Sequence, residues 1–316
     1  MLAIAASLFA LSLGAGFVGA IFGIGGGVLL VPALTLVLHM PIRVAIGVSL
    51  ISVVATSAGA SAAFVRDGWT NLRVAMALEV ATTAGALLGA SLAGVLSARV
   101  LEGLFAVAMV VSAIETLRQR SRDGTSPARP ERGRNLDGTS PARPERGRNL
   151  DGTSPARPER GRNLDLLPTS DRLAARLRMG GSYPGQNGPV PYGVRRVLPG
   201  AALMSVAGLA SGLLGIGAGV LKVMAMDSVM GLPFKVSSAT SNFMIGVTAG
   251  AGALVYLARG DIATTIAAPV ALGVAAGALV GSRVLVRSRV RVLRMAFVVL
   301  LLAVAAQMGW RAATGG

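Results

Sequence analysis

Apolar windows of about 20 residues, long enough to cross a hydrocarbon core, recur along this chain and are separated by short polar turns. The same order of windows occurs twice. Each half opens with an apolar helix (residues 3–22 and 197–214), followed by a glycine cluster and a short apolar segment (28–38 and 220–229). A turn at Pro41 or Pro233 then leads into a long helix (44–65 and 236–257) and a polar loop (66–73 and 258–264). A helix with small residues on one face (74–96 and 266–286) and a last helix (100–117 and 292–308) complete each series. The pattern predicts an all-α integral membrane protein of about eight transmembrane helices, within a range of roughly seven to ten.

The halves align without a gap at the offset that carries Gly23 to Gly215. Gly16 matches Gly208, Pro41 matches Pro233, Ser49 matches Ser241, Thr56 matches Thr248 and Gly68 matches Gly260. Further on, Gly85 and Gly89 match Gly277 and Gly281, and Arg99-Val100-Leu101 matches Arg291-Val292-Leu293. Register kept over so long a stretch marks an internal duplication. Residues 1–117 and 197–316 are therefore read as two homologous transmembrane repeats. The Gly85/Gly89 and Gly277/Gly281 pairs have the small-xxx-small spacing that lets membrane helices approach closely, and are expected to serve packing.

Residues 118–196 break the apolar pattern. They include three identical 14-residue copies, at 124–137, 138–151 and 152–165, each with three arginines and two acids. A stretch rich in Pro, Gly and Arg and poor in large apolar residues cannot bury enough surface to fold. It is expected to be a disordered cytoplasmic linker. The first 20 residues lack the Lys or Arg of a signal peptide's opening region and have a counterpart in the second half, so they are read as part of the fold.

Composition narrows the function. Of 316 residues, 53% are hydrophobic and 14% charged, against about 25% charged in soluble domains, and the mean hydropathy is +0.66. The chain has no cysteine and one histidine, His39, so thiolate or His-rich metal sites and Cys- or His-based catalysis are excluded. No nucleophile–base pair is visible, and neither an enzyme nor a bound cofactor is expected. The net charge of +16 does not imply a nucleic-acid partner, because the arginines concentrate in the linker and short loops, as the cytoplasmic excess of Lys and Arg requires.

The short-loop cluster Arg283, Arg287, Arg289, Arg291 and Arg294 should be cytoplasmic like the linker. An even number of crossings must then separate Val197 from the cluster. Reading the glycine break as a hairpin gives four crossings and antiparallel repeats; reading residues 197–229 as one broken helix gives three and parallel repeats. The cytoplasmic cluster favours the hairpin.

The glycine clusters, Gly23-Ile24-Gly25-Gly26-Gly27 and Gly215-Ile216-Gly217-Ala218-Gly219, are the first candidates for chemistry. Irregular backbone at membrane depth is tolerated only where protein buries it or it lines a cavity. Paired breaks in two halves point to a transporter's binding centre. Glycine runs expose successive N–H groups, and a following helix start adds the positive end of its dipole, together suited to an anion. The candidates are Gly23, Gly25, Gly26, Gly27, Gly215, Gly217 and Gly219; a tight helix crossing would also need glycine there. Lys222 sits in an apolar stretch just past the second break and must find a counter-charge, water or substrate. Asp227 could be that counter-ion, or Lys222 could hold an anion; the matching residue in the first half is Leu30. Ser49, Thr240, Ser241 and Asn242 could donate to an oxyanion without adding charge, or bond back to their own helices. Glu79, deep in a predicted helix, is a candidate proton-coupling group or a simple interhelix hydrogen bond, and Asp227 is a second coupling candidate. Trp69 reads as an interfacial anchor.

The motif Gly16-Phe-Val-Gly-Ala-Ile-Phe-Gly-Ile-Gly-Gly-Gly27 with Val31-Pro32-Ala33-Leu34 resembles the TauE/SafE family of sulfite exporters. So do Gly212-Leu-Leu-Gly-Ile-Gly-Ala-Gly-Val-Leu-Lys-Val223 and Ala239-Thr-Ser-Asn-Phe-Met-Ile-Gly-Val-Thr248 in the second half. The likeness covers both apolar halves and none of the linker. It implies a duplicated multi-pass permease of the cytoplasmic (inner) membrane that moves sulfite, organosulfonates or related sulfur compounds, coupled to protons. Its partners would be the small anion and the bilayer, with room for a homo-oligomer. The chain departs from the family pattern at Ala218, where glycine is expected, at Met224 in place of the proline matched by Pro32, and at the acidic Asp227. The competing reading is a membrane scaffold whose small residues only pack and whose linker docks a partner.

Overall fold

The structure, a computed structural model, describes residues 2–22, 27–123, 171–185, 188–262, 264–285 and 290–314. Gly23, Gly25 and Gly26, the three 14-residue copies, Arg287 and Arg289 lie outside them, as do the side chains of Arg283, Arg291 and Arg294. Helix α1 (Leu2–Phe22) precedes the first break, after which α2 (Gly27–Pro32) continues as a π-turn over Ala33–Val37. Helices α3 (Ile42–Arg66), α4 (Leu72–Val95) and α5 (Ala98–Asp123) follow. A short helix α6 (Arg172–Arg176) and a hairpin of β1 (Gly181–Gly185) and β2 (Gly188–Tyr192) come next. Then come α7 (Val197–Leu214), α8 (Gly219–Met224) with its π-turn Ala225–Val229, α9 (Phe234–Ala258), α10 (Thr264–Leu285) and α11 (Val290–Thr314). By length and composition, α4, α7 and α9 can each cross a membrane; among the described residues five shorter apolar helical stretches accompany them, including Ala6–Val18 and Val298–Thr314.

Helices pair across the chain. α1 packs on α10 and α4 on α7, while α3 packs on α9 and α5 on α11. The first two pairs cross at glycines. A Cβ at Gly85 or Gly89 would fall on the backbone of Ser205 or Leu209, and one at Gly208 or Gly212 on that of Thr82 or Ala86. Gly16 abuts the Val274 backbone and Gly277 that of Leu13 in the same way. The crossings run in register: later residues of α4 meet later residues of α7, so those two helices are parallel, whereas α3 and α9 are antiparallel. Leu50 near the start of α3 lies on Gly252 near the end of α9, and Ser57 further along α3 meets Gly246. α5 and α11 are antiparallel too, with Gly103 beside Ala312 and Gly309 beside Ala106. The end of α5 and the start of α11 therefore share one side of the molecule.

At the second break the chain turns back on itself. Gly200, early in α7, sits against the Met230 side chain that follows the π-turn, and the Arg195 N–H donates to the Met230 carbonyl at 3.1 Å.

One expectation is corrected: the linker is expected to be disordered from 118 to 196, but α5 continues to Asp123 and residues 171–192 contain α6 and a hairpin, a small β element in a mostly helical chain. The physical cause is aromatic anchoring. Tyr183 stacks on Trp69 with centroids 5.8 Å apart, and the Asn71 amide donates to the Tyr192 hydroxyl at 2.7 Å and to the Met179 carbonyl at 2.8 Å. Burial raises the Tyr192 phenol above its ordinary range, partly offset by the Asn71 amide, so it remains a neutral hydrogen-bonding group. Asp171 anchors the segment's entry by accepting from the Val197 N–H at 2.7 Å.

The α4–α7 crossing yields a direct test. Gly212→Val should cost about 3 kcal/mol through overpacking, read as a lowered thermal midpoint in detergent. Gly103→Ala, whose new methyl would meet Ala312 at 3.8 Å, should leave the midpoint within error.

Candidate substrate and coupling site

The second break is built from left-handed residues. Gly215 (φ +68°), Gly217 (φ +71°) and Ala218 (φ +46°) reverse the chain between α7 and α8. Gly215 closes α7 by donating its N–H to the Ser211 carbonyl at 2.8 Å. Space around the turn is tight: a Cβ on Gly215 would meet the Ile46 carbonyl at 2.9 Å, and one on Gly219 the Ile245 Cδ1 at 2.7 Å. Ala218 carries a real Cβ in a conformation that costs an L-residue about 1–2 kcal/mol. Ala218→Gly should therefore stabilise the protein by about 1 kcal/mol, measured as a higher unfolding midpoint, provided the left-handed turn is present.

Serines from the two crossing helices satisfy the breaks. The Ser49 hydroxyl, fully buried on α3, donates to the Gly215 carbonyl at 2.8 Å and lies 3.4 Å from the Gly27 carbonyl. Its counterpart Ser241 on α9 donates to the Gly219 carbonyl at 3.3 Å. One hydroxyl thus reaches both the second break and the first residue of α2. Ser57 adds a link, donating to the Asn242 carbonyl of α9. Gly27, Gly215, Gly219, Ser49 and Ser241 are gathered at this crossing, and a Cβ on Gly217 would lie 3.3 Å from Val53 of α3. Thr240 and Asn242 are engaged elsewhere. Thr240 accepts from the Asn71 N–H at 3.0 Å, and the Asn242 amide donates back to the Ser238 carbonyl at 3.1 Å.

Lys222, on α8 one turn past the break, is fully buried. Its ammonium donates to Thr248 Oγ1 on α9 at 2.6 Å, and that hydroxyl is 2.6 Å from Glu79 Oε1 on α4 and 2.7 Å from the Met244 carbonyl. Thr83 donates to the same Glu79 oxygen at 3.3 Å. Glu79 Oε2 is buried with no partner among the described residues. Placing a lysine at this depth costs about 2.5–3.5 kcal/mol, while one hydrogen bond to a charged group returns about 1.5–3 kcal/mol. The carboxylate beyond Thr248 is what tips the balance.

Asp227, one of the two candidate partners of Lys222 in the sequence, is not the group that the Lys222 ammonium bonds. The ammonium turns to α9, and the carboxylate it meets through Thr248 arrives from α4, which the glycine crossing holds against α7. Asp227 lies in the π-turn beyond, where its carbonyl accepts from the Gly231 N–H at 3.1 Å. Thr248 was legible only as the match of Thr56, whose hydroxyl reaches the Ser52 and Val53 carbonyls of its own helix. Nothing local to residue 248 signals a bond to residue 222.

Removing one member of a buried pair strands the other. Lys222→Leu alone should lower stability by about 3 kcal/mol, and adding Glu79→Ala should recover most of it, as read from a double-mutant cycle on detergent-solubilised protein.

Long apolar helices that cross one another, a buried charge beside the glycine break at 215–219 and a mean hydropathy of +0.66 define a helical membrane protein. The family model of the sulfite exporter TauE/SafE matches residues 8–308, and the chain belongs to that family. It is a family of membrane transporters for sulfite and related sulfur compounds. No curated protein and no solved structure matches the chain significantly.

Proposed function

We propose that the chain is a multi-pass permease of the inner membrane that moves a small sulfur oxyanion or organosulfonate, coupled to protons. One observation carries this reading: a fully buried lysine, Lys222, placed directly after a glycine break. A buried cation beside a break can hold an anion once its one acidic neighbour is neutralised. The break and the ammonium form the centre of the site, with Gly27, Gly215, Gly217, Gly219, Ser49 and Ser241 as its walls. Gly23, Gly25 and Gly26 belong to the same proposal by sequence register. Thr240 and Asn242 flank Ser241 on α9, with side chains engaged by the Asn71 N–H and the Ser238 carbonyl.

The repeats, residues 1–117 and 197–316, are inverted in this reading. Antiparallel α3 and α9, antiparallel α5 and α11 and the exchange of partners between α1·α10 and α4·α7 support it, and such repeats commonly hold their substrate at the midplane. The side that carries the end of α5 and the start of α11 is the cytoplasmic one. Arg172, Arg176, Arg178, Arg195 and Arg196, beside the membrane entry at α7, agree with the excess of Lys and Arg on that side. On the opposite side arginines are tied into the fold: Arg43 donates to the Leu96 carbonyl at 2.7 Å and Arg311 to the Thr35 carbonyl at 3.2 Å. Because Lys222 is closed off here, transport requires the two halves to move about the serine-bonded crossing.

The test is counterflow of labelled sulfite and of sulfoacetate in proteoliposomes. The intact protein should exchange at least one of them, and Lys222→Leu, paired with Glu79→Ala to preserve folding, should slow exchange about tenfold or more, the loss expected when a charge-assisted contact of about 1.5 kcal/mol is removed. Exchange at the intact rate would remove Lys222 from the site. Deleting residues 124–165 should leave the rate within about twofold, since a stretch so poor in large apolar residues has little surface to bury against the transmembrane helices.

A further inference from the structure

We propose that Glu79 and the arriving anion compete for Lys222, so that each anion bound at Lys222 obliges Glu79 to take up one proton. This rests on the permease reading above and assigns how its coupling is built.

The closed site is electrically balanced. Lys222 Nζ, Thr248 Oγ1 and Glu79 Oε1 form one chain with links of 2.6 and 2.6 Å. A monovalent anion that engages Lys222 adds a second negative charge to the same buried space, and a buried unpaired carboxylate is strongly unfavourable. Taking a proton from water onto the carboxylate restores neutrality: one O–H bond forms on Glu79 and one hydroxide or conjugate base remains in solution. The free oxygen is already in place, since Glu79 Oε2 has no partner among the described residues. Thr248 suits the exchange, because a hydroxyl donates to a carboxylate and accepts from a carboxylic acid.

Other groups on the packed elements do not compete for this role. α7 contains no titratable residue. On α9, Lys235 lies over the Trp69 ring at 5.4 Å near one end, and the Tyr256 hydroxyl donates to the Gly212 carbonyl at 3.0 Å near the other. On α4 itself, Arg73 donates to the Arg178 carbonyl at the helix start. From α8 the only charged side chain is Lys222.

The two halves show that the charges are not needed for packing. At matching register the first half has Leu30 for Lys222, Thr56 for Thr248 and Ala271 for Glu79. Leu30 is fully buried, as Lys222 is, and Thr56 bonds only within its own helix. The same framework thus folds around an apolar version of the cluster, and the charged version has a use other than cohesion.

The experiment uses the full chain and a strong-acid sulfonate, isethionate, which carries no titratable proton of its own. In proteoliposomes with a trapped pH dye, the intact protein should move one proton per labelled isethionate. Glu79→Gln should bring that ratio to zero while isethionate exchange persists at a measurable rate. In lightly buffered detergent solution, isethionate binding should draw one proton from the medium with the intact protein and none with Glu79→Gln. The proposal is overturned by a ratio near one in Glu79→Gln, or by exchange that vanishes in a Glu79→Gln protein whose unfolding midpoint shows it folded. If the intact protein exchanges no anion at all, the permease reading falls and takes this coupling scheme with it.

Discussion

A backbone that leaves its helix inside an apolar protein must find partners for the carbonyls and N–H groups it sets free. Much of this molecule follows from that constraint. At the second break the free Gly215 carbonyl is met by Ser49, and at the start of α8 the Gly219 carbonyl is met by Ser241. Both serines come from the long helices α3 and α9, which must therefore cross at the breaks. Their antiparallel crossing fixes where Thr248 lies, and the glycine seam between α4 and α7 fixes where Glu79 lies. Lys222 is held among them without one exposed atom.

Energetics explain why the cluster is arranged as a chain rather than a direct ion pair. A hydroxyl between the charges accepts from the ammonium and can donate to the carboxylate, so the two charges are linked without touching. A direct bidentate salt bridge would hold tighter and change state less readily. At matching register the apolar Leu30 and Ala271 stand for Lys222 and Glu79, so the charged chain is confined to the second half's break and the helix packed on it.

How much was legible beforehand differs from residue to residue. The second break showed in the sequence because glycine takes the left-handed conformations at 215 and 217 without strain, and helix ends followed from Pro41, Pro233 and the apolar periodicity. The seam between α4 and α7 was visible as the Gly85/Gly89 spacing, though its partner helix was not, since spacing names a face and not what covers it. The Lys222–Thr248–Glu79 chain was hidden because its members lie on three helices far apart in sequence, and Asp227 was the nearer acid. The hairpin at 181–192 was masked by its own composition. Pro184 and Pro189 pair across its two strands, and the surrounding glycines read as linker, while Tyr183 and Tyr192 were the signal that something packs there.

Infrared difference spectroscopy of the full chain, recorded as isethionate is added, most directly tests whether Lys222 and Glu79 form a working pair. The account predicts a new carboxylic-acid C=O band with loss of carboxylate intensity, absent from Glu79→Gln. An anion that binds without that band, or a band that survives in Glu79→Gln, would contradict it.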